Sequence, residues 1–132
     1  MKLTLASRSQ NYIRSYTAAS VELATQCIVS NCLIAPEQVI TDWSARNVSS
    51  LSETDLQPIF ALKPELVILG TGVLQQFPAA AIRAAFLARK IGFEVMDLGA
   101  ACRTFNVLLS EDRQVVAALL LGDSESVGQA EA

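Results

Sequence analysis

The sequence predicts a single α/β domain, and three observations carry that expectation. Residues 66–69, Leu-Val-Ile-Leu, form an apolar run rich in branched side chains with no polar alternation, as a strand covered on both faces does. The run leads into Gly70-Thr71-Gly72, and a second segment of the same kind, Phe93-Glu94-Val95-Met96, leads into Asp97-Leu98-Gly99. From residue 56 onward the pattern alternates helix, strand, helix, strand, helix, strand, which is the order of a sheet with crossover helices.

The elements before that point read as antiparallel strands. Residues 12–16 alternate, Val21 and Leu23 share one side of residues 20–23, and residues 27–35 resume strand composition after Ala24-Thr25-Gln26. On a single strand Cys27 and Cys32 would point to opposite faces, which excludes a disulfide between them. Pro36-Glu37-Gln38 is a turn, residues 39–43 form a short strand, and Trp43 is expected to cap an edge of the core. After a polar connection over residues 44–52, Ser52 and Asp55 are spaced as a capping pair. Pro58 would break a helix interior, so the helix is placed at residues 56–62 with Asp55 as its N-cap and the proline in the first turn. Lys63-Pro64 ends it.

Beyond the 66–69 strand, residues 78–91 read as a helix opened by Pro78, with Ile82 and Phe86 facing inward, Arg83 and Lys90 facing water, and Gly92 as the C-cap. The 93–96 strand follows, and right-handed crossover makes it the parallel neighbour of the 66–69 strand. Residues 100–110 form a third helix with Ala101, Phe105, Leu108 and Leu109 on one stripe. Residues 115–121 are a last buried strand; the short charged loop Glu111-Asp112-Arg113 allows it to run antiparallel. An ordered core over about residues 11–121 is expected, with frayed residues 1–10 and a flexible acidic tail over 122–132.

Composition narrows the function. At 132 residues the chain can bury roughly two thirds of its unfolded surface without a metal or disulfide staple. Apolar residues make up 52% and charged ones 17%, which leaves apolar surface for a protein partner or a second copy of the chain. A net charge of −3 with no basic cluster argues against nucleic acid. The absence of histidine removes the commonest general base and metal ligand and every Ser-His or Cys-His arrangement, so no catalytic residue, metal site or cofactor is expected. Three cysteines without metal spacing suit a reducing compartment. The start of the chain has no signal or transit pattern and the longest apolar runs are about seven residues, so a cytoplasmic protein without a transmembrane segment is expected.

Ligands of open α/β sheets sit outside the carboxyl ends of strands, which makes the two strand ends the candidate site. Gly70-Thr71-Gly72 is half of a dinucleotide fingerprint: Gln75 stands where the third glycine would be, and Asp97 lies 27 residues after Gly70. A plain glycine turn is the preferred reading. Asp97, Gly99, Cys102, Arg103, Thr104 and Asn106 cluster at the start of the third helix, where unpaired amides and an arginine fork suit an anion. The preferred reading is structural: Asp97 caps the helix, Arg103 pairs with Asp97 or a nearby acid, and Asn106 bonds loop backbone. Cys102, in the first turn, would have a lowered thiol pKa but lacks a base, and reads as a small buried apolar residue.

Leu69-Gly70-Thr71-Gly72, Gln76-Phe77-Pro78, Glu94-Val95-Met96-Asp97 and Gly99-Ala100-Ala101-Cys102-Arg103-Thr104-Phe105-Asn106 together resemble a family. It is the domain-of-unknown-function family that includes mitochondrial respiratory complex I assembly factor 3 and bacterial and archaeal relatives, and the likeness covers about residues 13–121. The resemblance implies a three-layer α/β fold with a central mixed sheet, helices on its faces and an N-terminal antiparallel β-hairpin. It also implies assembly-factor behaviour with protein partners, respiratory-complex assembly among the roles, and no assigned catalytic residues. Here Tyr16-Thr17-Ala18-Ala19-Ser20 and Ala24-Thr25-Gln26 stand where the family has glycine-rich turns. The expected function is therefore a non-enzymatic binding or assembly protein with a crevice at Gly70, Thr71, Gly72, Asp97, Gly99, Cys102, Arg103, Thr104 and Asn106. The alternative is a binding protein or enzyme for an anionic small molecule at the same strand ends.

Overall fold

A five-stranded mixed sheet organises residues 10–122, the part of the chain described by the computed structural model. The chain enters through β1 (Ser15–Thr17), β2 (Ser20–Glu22) and β3 (Cys27–Ile28), a small antiparallel sheet in the order β1-β2-β3. It then passes through β4 (Cys32–Ile34), β5 (Val39–Ile40), α1 (Glu53–Ala61), β6 (Leu66–Gly70), α2 (Ala80–Ala88), β7 (Gly92–Met96), α3 (Leu98–Ser110) and β8 (Val115–Leu119). The main sheet has the order β5-β4-β8-β6-β7. β6 is parallel to β7 and to β8, whereas β4 is antiparallel to β8 and β5.

β6 from Val67 onward and the whole of β8 are buried in unbroken runs because both faces of the sheet are covered. Ile68, Val115, Ala117, Leu119, Cys32 and Ile34 pack with Leu98, Ala101, Cys102, Phe105 and Leu109 of α3 and with Val21 and Ile28 of the small sheet. Their sequence neighbours Val67, Leu69, Val116, Ala118 and Leu33 point the other way, onto Leu56 and Ile59 of α1 and Ile82 and Phe86 of α2. The molecule therefore has three layers. Steps from β6 out to β7 and then back across β6 to β8 must, with right-handed crossovers, place α2 and α3 on opposite faces. The loops leaving β6 and β7 consequently diverge at the carboxyl end of the sheet.

Several boundaries differ from those read in the sequence, each for a physical reason. Residues 27–35 are not one strand: Asn31 breaks them, donating its Nδ2 to the Ala45 carbonyl at 2.7 Å and accepting the Leu121 amide at 2.7 Å, and β3 and β4 join different sheets. The N-terminal hairpin gains β3 as a third strand. The 39–43 strand contracts to β5, and Trp43, buried, donates its indole N–H to the Asp55 carbonyl at 2.8 Å. α1 begins one turn earlier than residue 56, with Ser52 as N-cap. The Asp55 carboxylate reaches back to the Ser52 amide at 3.0 Å and takes the Ser44 hydroxyl at 2.6 Å. Pro58 thus sits inside the helix, and the bond it cannot donate would have gone to the exposed Thr54.

α2 starts two residues after Pro78 and ends at Ala88; Lys90, not Gly92, takes the left-handed conformation that stops it, at φ 59°. Gly92 opens β7, where a side chain would strike Leu66 Cδ1 at 2.8 Å. β8 runs parallel to β6 and antiparallel to β4, so the antiparallel option after Glu111-Asp112-Arg113 is not taken. The start expected to fray and the acidic tail lie outside the described residues, apart from residues 10 and 122.

Candidate functional site

Gly70 and Gly72 serve different purposes. Gly70 is the last residue of β6, where a Cβ would lie 2.9 Å from Leu119 Cδ2 and 3.0 Å from Ala101 Cβ; it lets α3 rest directly on the sheet. Gly72 makes the turn, at φ +87°. Around it the ends of β6 and β7 are laced together. The Thr71 amide donates to the Met96 carbonyl at 2.8 Å, the Leu98 amide to the Gly72 carbonyl at 2.7 Å, and Gln75 Nε2 to the Val95 carbonyl at 2.9 Å. Thr71, buried, also donates its hydroxyl to the Leu74 carbonyl at 2.9 Å and accepts the Gln76 amide at 3.0 Å. No slot therefore opens between the strands themselves.

The hollow opens beside them instead, where the β1–β2 turn leans over the start of α3. It encloses about 230 Å³ between Tyr16, Thr17 and Ala18 on one side and Gly72, Val73, Asp97, Leu98, Gly99 and Arg103 on the other. Gly99 makes the approach possible, since a Cβ there would fall 2.5 Å from the Tyr16 hydroxyl. Arg103 Nη1 donates to that hydroxyl at 3.0 Å. Asp97 caps α3 by accepting the Ala100 amide at 2.9 Å, so the helix starts at Leu98, not at Ala100, and its own carboxylate occupies the position an anion would take. Replacing Asp97 by alanine is expected to cost about 1 kcal/mol through the lost cap, measured as a lowered urea midpoint with an unchanged slope.

The structure thus brings Gly72, Asp97, Gly99 and Arg103 around one hollow, whereas Thr71 is outside that lining and braces the loop that follows it. Gly70 and Cys102 lie in the interior, and Thr104 is half-buried outside the lining. Asn106 fastens the N-terminal segment: its Oδ1 accepts the Ile13 amide at 2.9 Å and its Nδ2 donates to the Ile13 carbonyl at 2.9 Å. Tyr16, Thr17 and Ala18 were not legible as site residues. The one available hint was Gly99, a poor helix former inside a helical pattern, which marks close approach by another part of the chain.

Cys102 falls in the second turn of α3, beyond the amides that lower a thiol pKa, and burial pushes it up to about 12 against a smaller opposing effect of Arg103. Burial likewise pushes Cys32 up to about 12, with Cys102 beside it adding to the rise. Cys27 is exposed. In the folded protein at pH 8, iodoacetamide should therefore label Cys27 alone, with Cys32 and Cys102 labelled only in denaturant, as read by mass spectrometry.

A second hollow of about 360 Å³ lies on the far side of the same turn, between Arg46, Asn47 and Val48, the segment from Leu120 to Gly122, and Thr71, Gly72, Val73, Leu74 and Gln76. Gly72 and Val73 line both hollows. Among the described residues, no helix is long and apolar enough to cross a membrane.

Residues 13–120 match the family model described as "Protein of unknown function (DUF498/DUF598)". Among curated proteins, "NADH dehydrogenase [ubiquinone] 1 alpha subcomplex assembly factor 3" of Mus musculus is 30% identical over 90% of this chain and 67% of its own length. The protein of the same name from Danio rerio is 31% identical over 82% of this chain and 63% of its own length, so the chain spans about two thirds of these relatives. An NMR structure of a Xanthomonas campestris protein superposes with a TM-score of 0.78 at 33% identity, covering 85% of each chain.

Proposed function

The chain belongs to the DUF498/DUF598 family of proteins of unknown function, and on that premise we propose that it is a non-enzymatic binding protein acting as an assembly factor for a multisubunit complex of the NADH dehydrogenase type. The observation that carries the proposal is the loop after β6. Val73, Leu74 and Phe77 are 66%, 70% and 69% exposed there, at the end of the sheet where α/β proteins bind. Three large apolar side chains close together in sequence and open to water are a surface suited to burial against another protein. Asp97 already caps the helix start that faces the hollow, and Cys102 lies outside the lining, which supports recognition over turnover.

The test is genetic and biochemical. Cells deprived of the protein should accumulate incomplete NADH dehydrogenase subcomplexes on native gels. The wild-type chain should restore the mature complex, and a chain with Leu74→Asp and Phe77→Asp, which folds normally because both positions are exposed, should not. Normal assembly without the protein, together with metabolite turnover by the purified chain, would overturn the proposal.

A further inference from the structure

Helix α2 is apolar on the side that faces away from the molecule as well as on the side that faces in. Only Ile82 and Phe86 of it are buried. Ala80, Ala81, Ala84 and Ala88 are exposed, and Leu87 is 76% exposed, the highest value among the large apolar side chains of the described residues. Arg83 apart, α2 shows water no polar side chain, which is how a helix with a second neighbour reads. Small residues along its outer face let another backbone come close, and Leu87 stands among them as the one side chain long enough to enter a neighbour's groove.

Charge defines that neighbour. From Leu66 to Phe93 the sequence contains no Asp or Glu, while α2 and its end carry Arg83, Arg89 and Lys90, all exposed. The two guanidiniums are held against aromatic rings, Arg89 over Phe60 at 4.0 Å and Arg83 over Phe93 at 5.3 Å, so they flank the apolar face instead of sweeping across it. A second copy of this chain docked face to face would set three cations against three with no carboxylate between them, which disfavours self-association.

We propose that the outer face of α2 is the docking site for an amphipathic helix of a partner protein, one that offers an apolar stripe to Ala81, Ala84 and Leu87 and carboxylates to Arg83, Arg89 and Lys90. This rests on the binding-protein reading above and gives its partner a chemistry. The mode is a helix laid along a helix, with apolar anchors at three- and four-residue spacing and acidic residues at the edges.

The test places a benzophenone amino acid at Ala84 or at Leu87 of the full-length chain in its native cells, with a third variant carrying the probe at Leu74. After irradiation the cross-linked peptide is sequenced by mass spectrometry. The result expected is a cross-link from both α2 positions to one partner segment with apolar residues at helical spacing and flanking Asp or Glu. Its yield should fall at least about tenfold when Arg83→Glu and Lys90→Glu are combined, with the far-ultraviolet circular dichroism of the purified variant still that of the folded chain. Cross-links to a second copy, to lipid or to a segment lacking carboxylates would overturn the proposal. If Leu74 captures a partner and the α2 positions do not, the docking face is wrong and the binding-protein reading stands. If none of the three captures a protein, both fail.

Discussion

Replacing Phe86 by alanine is expected to lower the stability of the fold by about 3–5 kcal/mol, a large share of the roughly 5–15 kcal/mol that holds a domain of this size together. The ring is fully buried at the centre of an aromatic row, stacked on Phe93 at 4.3 Å and 7° and meeting Phe60 edge-on at 5.2 Å and 67°. Truncation removes the transfer free energy of the ring, leaves a cavity that the strands beneath cannot fill, and takes away both ring contacts. Because Ile82 and Phe86 are the only buried residues of α2, the variant leaves Ile82 as its one buried anchor. Chemical denaturation should show the loss directly, and amide exchange should show it concentrated in residues 80–88. A loss below about 1.5 kcal/mol would mean that α2 is anchored elsewhere, since that is the range of mild core changes.

Putting valine at Gly70 is expected to cost about 1–3 kcal/mol by the opposite route, overfilling instead of emptying. Leu119 Cδ2 at 2.9 Å can turn aside, but Ala101 Cβ at 3.0 Å belongs to a helix that would have to move as a body away from β6. The comparison that isolates this cause is Gly72→Ala. There the nearest atom is the Leu120 carbonyl oxygen at 3.7 Å, and the penalty is the positive φ alone, on the order of 1 kcal/mol. The valine variant should shift the environment of Ala101 and Phe105 in NMR spectra, whereas the alanine variant should perturb only the turn. Equal spectra for the two would refute the packing account of Gly70.

How much of this was readable in the residues depends on the range of the interaction. The unbroken apolar run before Gly70 gave a strand with two covered faces, because that pattern is local and leaves no polar side to turn outward. The parallel pairing of β6 and β7 and the capping role of Asp97 followed from connection length and from a single side chain. The sheet partner of β8 did not follow, because direction depends on β4, more than 80 residues away. The start of α1 was misplaced because Pro58 suggested a first turn, while Asp55 reaching back to Ser52 fixed the cap a turn earlier. The outer wall of the hollow was invisible for the same reason as β8: Tyr16 meets Arg103 across 87 residues, and no local pattern in residues 15–20 records it.

The turn at Gly72 and Val73 is a single thickness of backbone between two separate spaces, one under the Tyr16 hairpin and one beside Arg46. A displacement of that shared wall would therefore enlarge one space at the expense of the other, and a spectroscopic label on Val73 would report on both at once.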